Sequence, residues 1–172
     1  MSDDFIDDFD SDTPDEAPVA EGSVLAGLRE RREQAKTKLV KDLAVPRMDP
    51  PVYVRFKPIP SRRLSAANKQ AAASGDKDAE VIANAGVLAE ACLGVFEVVD
   101  GEEVSIDASD RAGDWPKFDK RLAALLGVPA GKASQVVRAL YLTDGDIIST
   151  VNDLGIWSGF AREQMERDPE GN

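Results

Sequence analysis

The chain has 172 residues, is 42% hydrophobic and carries a formal charge of −11, with one cysteine and no histidine. One ordinary core fits this length, a lone cysteine makes no internal disulfide, and the absence of histidine excludes Ser-His and Cys-His catalysis and histidine-containing zinc sites. No apolar run approaches the roughly 20 residues that cross a bilayer, and acids stand where a signal peptide needs bases, so the expectation is a cytosolic protein with no membrane partner.

The charge is concentrated at the start. Residues 1–21 hold nine acids and no base, which leaves −2 for the other 151 residues. Such an acidic arm repels itself, and residues 1–22 are expected to be disordered. Phe5, Ile6 and Phe9, spaced among aspartates, also form a short acidic-apolar phrase suited to binding a partner or masking the chain itself. The arm lacks the Asp/Asn register, mid-loop glycine and closing glutamate of an EF-hand, so no metal is expected there.

Ser23 is placed to cap a helix from Val24 to Leu43, with Leu25, Leu28, Ala35, Leu39 and Leu43 as an apolar stripe broken by Arg32. Val45-Pro46 ends it. Residues 22–47 contain seven bases and three acids, or +4, directly after the −9 arm, so a contact between arm and helix is electrostatically favoured at low salt. The chain as a whole is acidic, and its arginines are not interleaved with stacking aromatics. Nucleic-acid binding is therefore not expected.

After a proline-rich linker, Val52–Lys57 alternates as a strand, with Val52, Val54 and Phe56 on one face and Tyr53 on the other. Ser61 is positioned to cap a helix running to Ala73 that has few large side chains and so is peripheral. Next comes the stretch about which the fold is organised. Ala79, Ile82, Ala83, Gly86, Leu88, Ala89 and Leu93 recur at helical spacing and predict a buried face. After Gly94 the pattern changes to strand, and Asp100-Gly101 supplies the two residues tolerant of positive φ that a tight antiparallel turn requires. Cys92 reads as a small core residue.

Beyond the hairpin, Asp114 is expected to cap a helix with Pro116 in its first turn and Gly127 at its end. A further helix covers roughly Ala130 to Leu142, and a last one Asp146 to Leu154, broken by Gly155. Thr143-Asp144-Gly145-Asp146 reads as a turn and cap, since it lacks a calcium-loop ligand sequence. Trp157 and Phe160 then present two large aromatics, and Trp157 either closes the core or anchors a partner. These readings give an α+β fold, mainly α, with helices around a small antiparallel hairpin that Val52–Lys57 extends to three strands. The divisions are an acidic arm at 1–22, a basic helix and linker at 23–47, an α+β core at 48–160 and a charged tail at 161–172.

The basic helix ending in DLAVPR, the strand VYVRFKPI, the core NAGVLAEACLGVFEVVDG, then FDKRLAALLG, VVRALYLTDGDI and a late WSG resemble the tail assembly chaperones of siphoviruses that infect actinobacteria. The likeness spans residues 24 to 160 and lies in the order of segments. It implies a non-enzymatic protein without cofactors, made in the host cytoplasm and absent from the mature virion. Such a protein binds the tape-measure protein and helps tail-tube subunits polymerise, often with a longer product made by frameshifting. The family has no catalytic residues to transfer.

A holdase for a long helical client needs amphipathic surface and a charged exterior. Leu25, Leu28, Leu39 and Leu43 are the expected contact surface, with Trp157 and Phe160 second. The alternative for each leucine is packing on the domain's own core, and self-association of the chain is a further expectation among its partners. A structural virion component, such as a head-to-tail connector or minor tail protein, is the second reading. No phosphate-cradling loop, paired metal ligands or activated nucleophile points to an enzyme.

Overall fold

Residues 24–109 and 114–159 are described in the computed structural model, and the chain divides into two units, residues 1–38 and 39–172. The first unit contributes one described helix, α1 (Val24–Lys38), none of whose residues is buried. The expected disordered arm, the Ser23 cap, part of the polar loop at 110–113, Phe160 and the charged tail lie outside the described residues.

The second unit is built on four antiparallel strands, β1 (Lys41–Ala44), β2 (Val52–Phe56), β3 (Cys92–Val99) and β4 (Glu102–Ser105), in the sheet order β1-β2-β3-β4. The hairpin expected from Asp100-Gly101 is present, with φ of 53° and 83° at those residues. This is the primed-turn backbone that matches the right-handed strand twist. Val52–Phe56 is the third strand. The fourth replaces the end of a predicted helix: α1 stops at Lys38, and Lys41↔Phe56 and Leu43↔Val54 pair across the sheet. Lys41, Leu43 and Val45 point inward while Asp42 and Ala44 are exposed. This is a period of two that the helical reading of Leu39 and Leu43 overlooked. Residues 39–47, assigned from sequence to a helix and linker, therefore belong to the sheet domain.

Between β2 and β3 come α2 (Ser61–Ser74) and α3 (Ala79–Ala91); after β4 come α4 (Lys120–Leu125), α5 (Ala133–Leu140) and α6 (Asp144–Trp157). As expected, α2 is peripheral, with Ala67 its one buried residue. α3 packs on α2, α5 and α6. Its core face shares Leu88 with the predicted one and otherwise differs from it. Val81, Asn84, Ala85, Val87, Leu88 and Ala91 are buried, whereas Ile82 is 44% exposed and Ala79, Ala83, Gly86 and Ala89 are only partly covered. α3 is apolar nearly all round, so spacing alone offers two faces. The one carrying the larger Val81, Val87 and Leu88 buries more area and goes inward. Leu93 lies in β3, at the irregularity between Arg55↔Gly94 and Phe56↔Cys92, and is exposed.

The core joins Val54 and Phe56 of β2, Cys92 and Val95 of β3, the inner face of α3, Phe118 and Leu122, Val136, Val137, Leu140 and Tyr141, and Ile147, Val151 and Leu154 of α6. The boundaries of three helices correct the sequence reading. Asp119, not Asp114, caps α4, its carboxylate accepting from the Arg121 and Leu122 amides at 2.9 and 3.3 Å. α5 begins at Ala133 and ends at Leu140. α6 starts at Asp144, capped by Thr143 Oγ1 accepting from Asp146 N–H at 3.1 Å, and runs through Gly155. Gly155 is buried inside α6 and does not end it; a methyl group added there would lie 3.8 Å from Leu64 Cδ2, an ordinary contact. Gly127 does end α4, at φ 68°. Among the described residues no helix is long and apolar enough to cross a membrane.

Candidate partner-binding surfaces

Of the residues chosen from sequence, Leu25 and Leu28 lie in the first unit, Leu39, Leu43 and Trp157 lie in the second, and Phe160 lies outside the described residues. Leu25 and Leu28 are 64% and 60% exposed on α1. At 3.6 residues per turn they share one side of the helix with Val24 and Ala35. Arg29 and Lys36 flank one edge of that side and Arg31 and Lys38 the other, Arg32 falls between Leu28 and Leu25, and Glu30 and Glu33 lie opposite. Glu33 accepts from Lys36 Nζ at 2.7 Å and lies 3.8 Å from Arg32. These exposed pairs contribute little.

Leu39 and Leu43 belong to the second unit and have different environments. Leu39 precedes β1 and is 52% exposed. Leu43 sits in β1 opposite Val54 and packs against the core, which corrects its assignment as contact surface in favour of the core alternative. Trp157, in the last turn of α6, is half-buried against the core, the first of the two readings open for it. Its neighbour Ser158 caps a chain crossing, its Oγ accepting from Ile59 N–H at 3.1 Å.

Two features were not singled out from sequence. The first lies on the outer face of the sheet. Arg55 donates to both oxygens of Asp42 at 2.7 and 2.8 Å and to Glu103 at 2.6 Å, and its guanidinium lies 5.1 Å from the Phe96 ring and 5.0 Å from the Trp115 ring. Phe96 stacks on Trp115 at 4.4 Å and on Tyr53 at 5.7 Å. Trp115 crosses directly over Gly94, and Val95 N–H donates to Pro116 O at 2.8 Å. β4 pairs with β3 only as far as Phe96↔Ser105, so the strap at 114–118 covers the β3 edge that β4 leaves open. The hydrogen bond to Asp42 raises the affinity of Arg55 for its proton against the effect of partial burial, and Glu103 adds to it. The two carboxylates and the rings account for this arginine, and it fastens the strap; it offers nothing to a phosphate. The sequence signal was the alternation in Val52–Phe56, which puts Tyr53 and Arg55 opposite Val54 and Phe56.

The second feature is an open groove of about 550 Å³ between α2, α3 and the start of α5. Ala79, Ile82, Ala83, Gly86 and Ala89, the face predicted to be buried, form its floor, and Arg63, ion-paired with Glu90, stands at its rim. A smaller hollow of about 200 Å³ beside Pro58, Ile59 and Pro60 shares that ion pair.

Cys92 is buried, and burial pushes its thiol up to about 12, which is the environment of an inert core cysteine. Among the described residues no three His, Cys, Asp or Glu side chains are grouped to hold a metal ion. No protein-family model matches the chain, and no curated protein and no solved structure matches it.

Proposed function

We propose that this protein is a non-enzymatic tail assembly chaperone of a siphovirus, which holds the tape-measure protein in the host cytoplasm while tail-tube subunits polymerise and is left out of the finished particle. The resemblance in segment order suggests the role, and one structural observation supports it above others: α1 carries an apolar stripe, Val24, Leu25 and Leu28, on a helix that buries none of its residues. A client helix with apolar residues at three- and four-residue steps lays them against such a stripe, and the flanking arginines and lysines favour acidic residues on either side of them. Burying two leucines contributes on the order of 3–5 kcal/mol before the cost of association, which suits a hold that must later be released.

The test replaces Leu25 and Leu28 together by Asp and co-expresses the variant with the tape-measure protein. The expected result is a client that no longer co-purifies and precipitates, with the urea midpoint of the variant unchanged. A variant that retains the client removes α1 from the mechanism. Mass spectrometry of purified virions separates a chaperone, which is missing, from a structural component, which is present in fixed stoichiometry. Finding the protein there in fixed proportion would overturn the proposal.

A further inference from the structure

The pattern on α1 is specific in what it selects. Its five bases all lie on the half of the helix that bears Val24, Leu25 and Leu28, four of them at the two edges of the apolar stripe and Arg32 within it, and its two acids lie behind. A surface of that kind fits a segment with large apolar side chains set among carboxylates. The chain contains one such segment: Phe5, Ile6 and Phe9 stand among Asp3, Asp4, Asp7, Asp8 and Asp10. We infer that the stripe of α1 is the docking site of residues 3–10 of the same molecule, a self-masking contact made by apolar burial and charge together.

Reach and charge both favour it. Residues 11–23 link the two segments, and thirteen residues span up to about 43 Å. The fifteen residues of α1 extend over about 22 Å, so the phrase reaches every turn of the helix. α1 has five bases against two acids, net +3, and the arm has −9, an attraction across one short connection that raises the local concentration of the arm into the millimolar range. A second copy of the chain offers the same phrase only at the concentration of the protein. On the function proposed above, the arm is the competitor that the client displaces. The contact itself is measured without any client, so its failure leaves that proposal standing.

The experiment uses the full chain with a nitroxide on Ser2→Cys. Cys92 is buried and does not take the label in the folded protein. Paramagnetic broadening of backbone amides is read at about 0.02 M and about 0.5 M salt, a change that shortens the Debye length from roughly 20 Å to roughly 4 Å. The expected result is at least a twofold loss of signal from the amides of α1 at low salt, little at residues 39–159, and at least half of the effect lost at high salt. Phe5→Ser/Ile6→Ser/Phe9→Ser should remove most of the low-salt broadening, as should Asn at the five aspartates. Neither variant alters the domain that follows Lys38, and dispersion of its amide signals verifies the fold. Unbroadened α1 amides at low salt, or broadening that survives both variants, would overturn the inference. So would broadening that appears only when nitroxide-bearing protein is mixed with isotope-labelled copies that carry no nitroxide, because the contact is then between molecules.

Discussion

Gly94→Ala tests the way the outer face of the sheet is closed. A methyl group there lies 2.8 Å from Trp115 Cβ and 3.1 Å from its Cε3, closer than packed carbons approach. The tryptophan has little room to yield, since its ring is stacked on Phe96 at 4.4 Å and its backbone is held by the 2.8 Å bond from Val95 N–H to Pro116 O. Overpacking of this kind costs about 1–3 kcal/mol, and disturbing the aromatic pair adds about 0.5–1.5 kcal/mol. The smaller entropy of an unfolded chain with Ala in place of Gly returns about 0.4–1 kcal/mol. The net expectation is a loss of about 2 kcal/mol, or a fall in Tm of about 8 °C at roughly 4 °C per kcal/mol.

The assay is urea unfolding followed by circular dichroism, with Gly94→Ala measured alone and in a Trp115→Gly background, which removes the Cβ that makes the 2.8 Å contact. With the whole side chain gone, Cβ included, the three atoms nearest the added methyl are removed, and the substitution should then cost less than about 0.5 kcal/mol, giving a coupling near 2 kcal/mol between adjacent sites. Equal costs in the two backgrounds would refute the reasoning, because the strain would then come from the strand backbone and not from the strap.

Three further outcomes follow from the packing. Leu43→Asp places a carboxylate against the core beside Val54 and should cost about 2 kcal/mol or more, whereas Leu25→Asp on α1 should stay within about 0.5 kcal/mol; urea midpoints of the two variants decide whether the stripe was divided correctly. Asp107 is held down to about 2 by the Ser109 hydroxyl and the Arg121 guanidinium, and Asp146 lies below the usual carboxylate range chiefly through Arg47, 3.1 Å away. Both carboxyls are depressed by folding, so the stability they give is complete above the unfolded value of about 3.9 and is lost as pH falls toward about 2. Denaturation midpoints measured down that range should decline, and Asp107→Asn should flatten the decline. Cys92 should be unreactive toward a disulfide reagent at pH 8 in the native protein and react only at the rate of global opening; rapid modification would contradict its burial.

Much of this architecture is local in origin and could be read from residue order. The Asp100-Gly101 turn, the alternation of Val52 to Phe56, the peripheral alanine-rich α2 and the glycine that ends α4 each rest on neighbouring residues whose backbone preferences agree with the fold. The exposed leucines of α1 were legible for the same reason, as a stripe on a helix whose other residues are mostly polar.

Where the sequence left two choices, the rest of the molecule made them. Leu39–Val45 has apolar residues compatible with a helix and with a strand, and the partner that selects the strand is β2, which follows a proline-rich turn. α3 is apolar on more than one side, and the side turned inward is fixed by what α5, α6 and the sheet present to it. Asp114, Trp115 and Pro116 have the chemistry of a helix start. They form a strap instead because β4 is too short to cover β3 and the Gly94 position leaves space for an indole. Local chemistry thus determined the acidic arm, the exposed stripe and the hairpin. Competition among distant surfaces for burial decided the fourth strand, the orientation of the central helix and the placement of Arg55, because burial is a property of pairs of surfaces that lie apart in the chain.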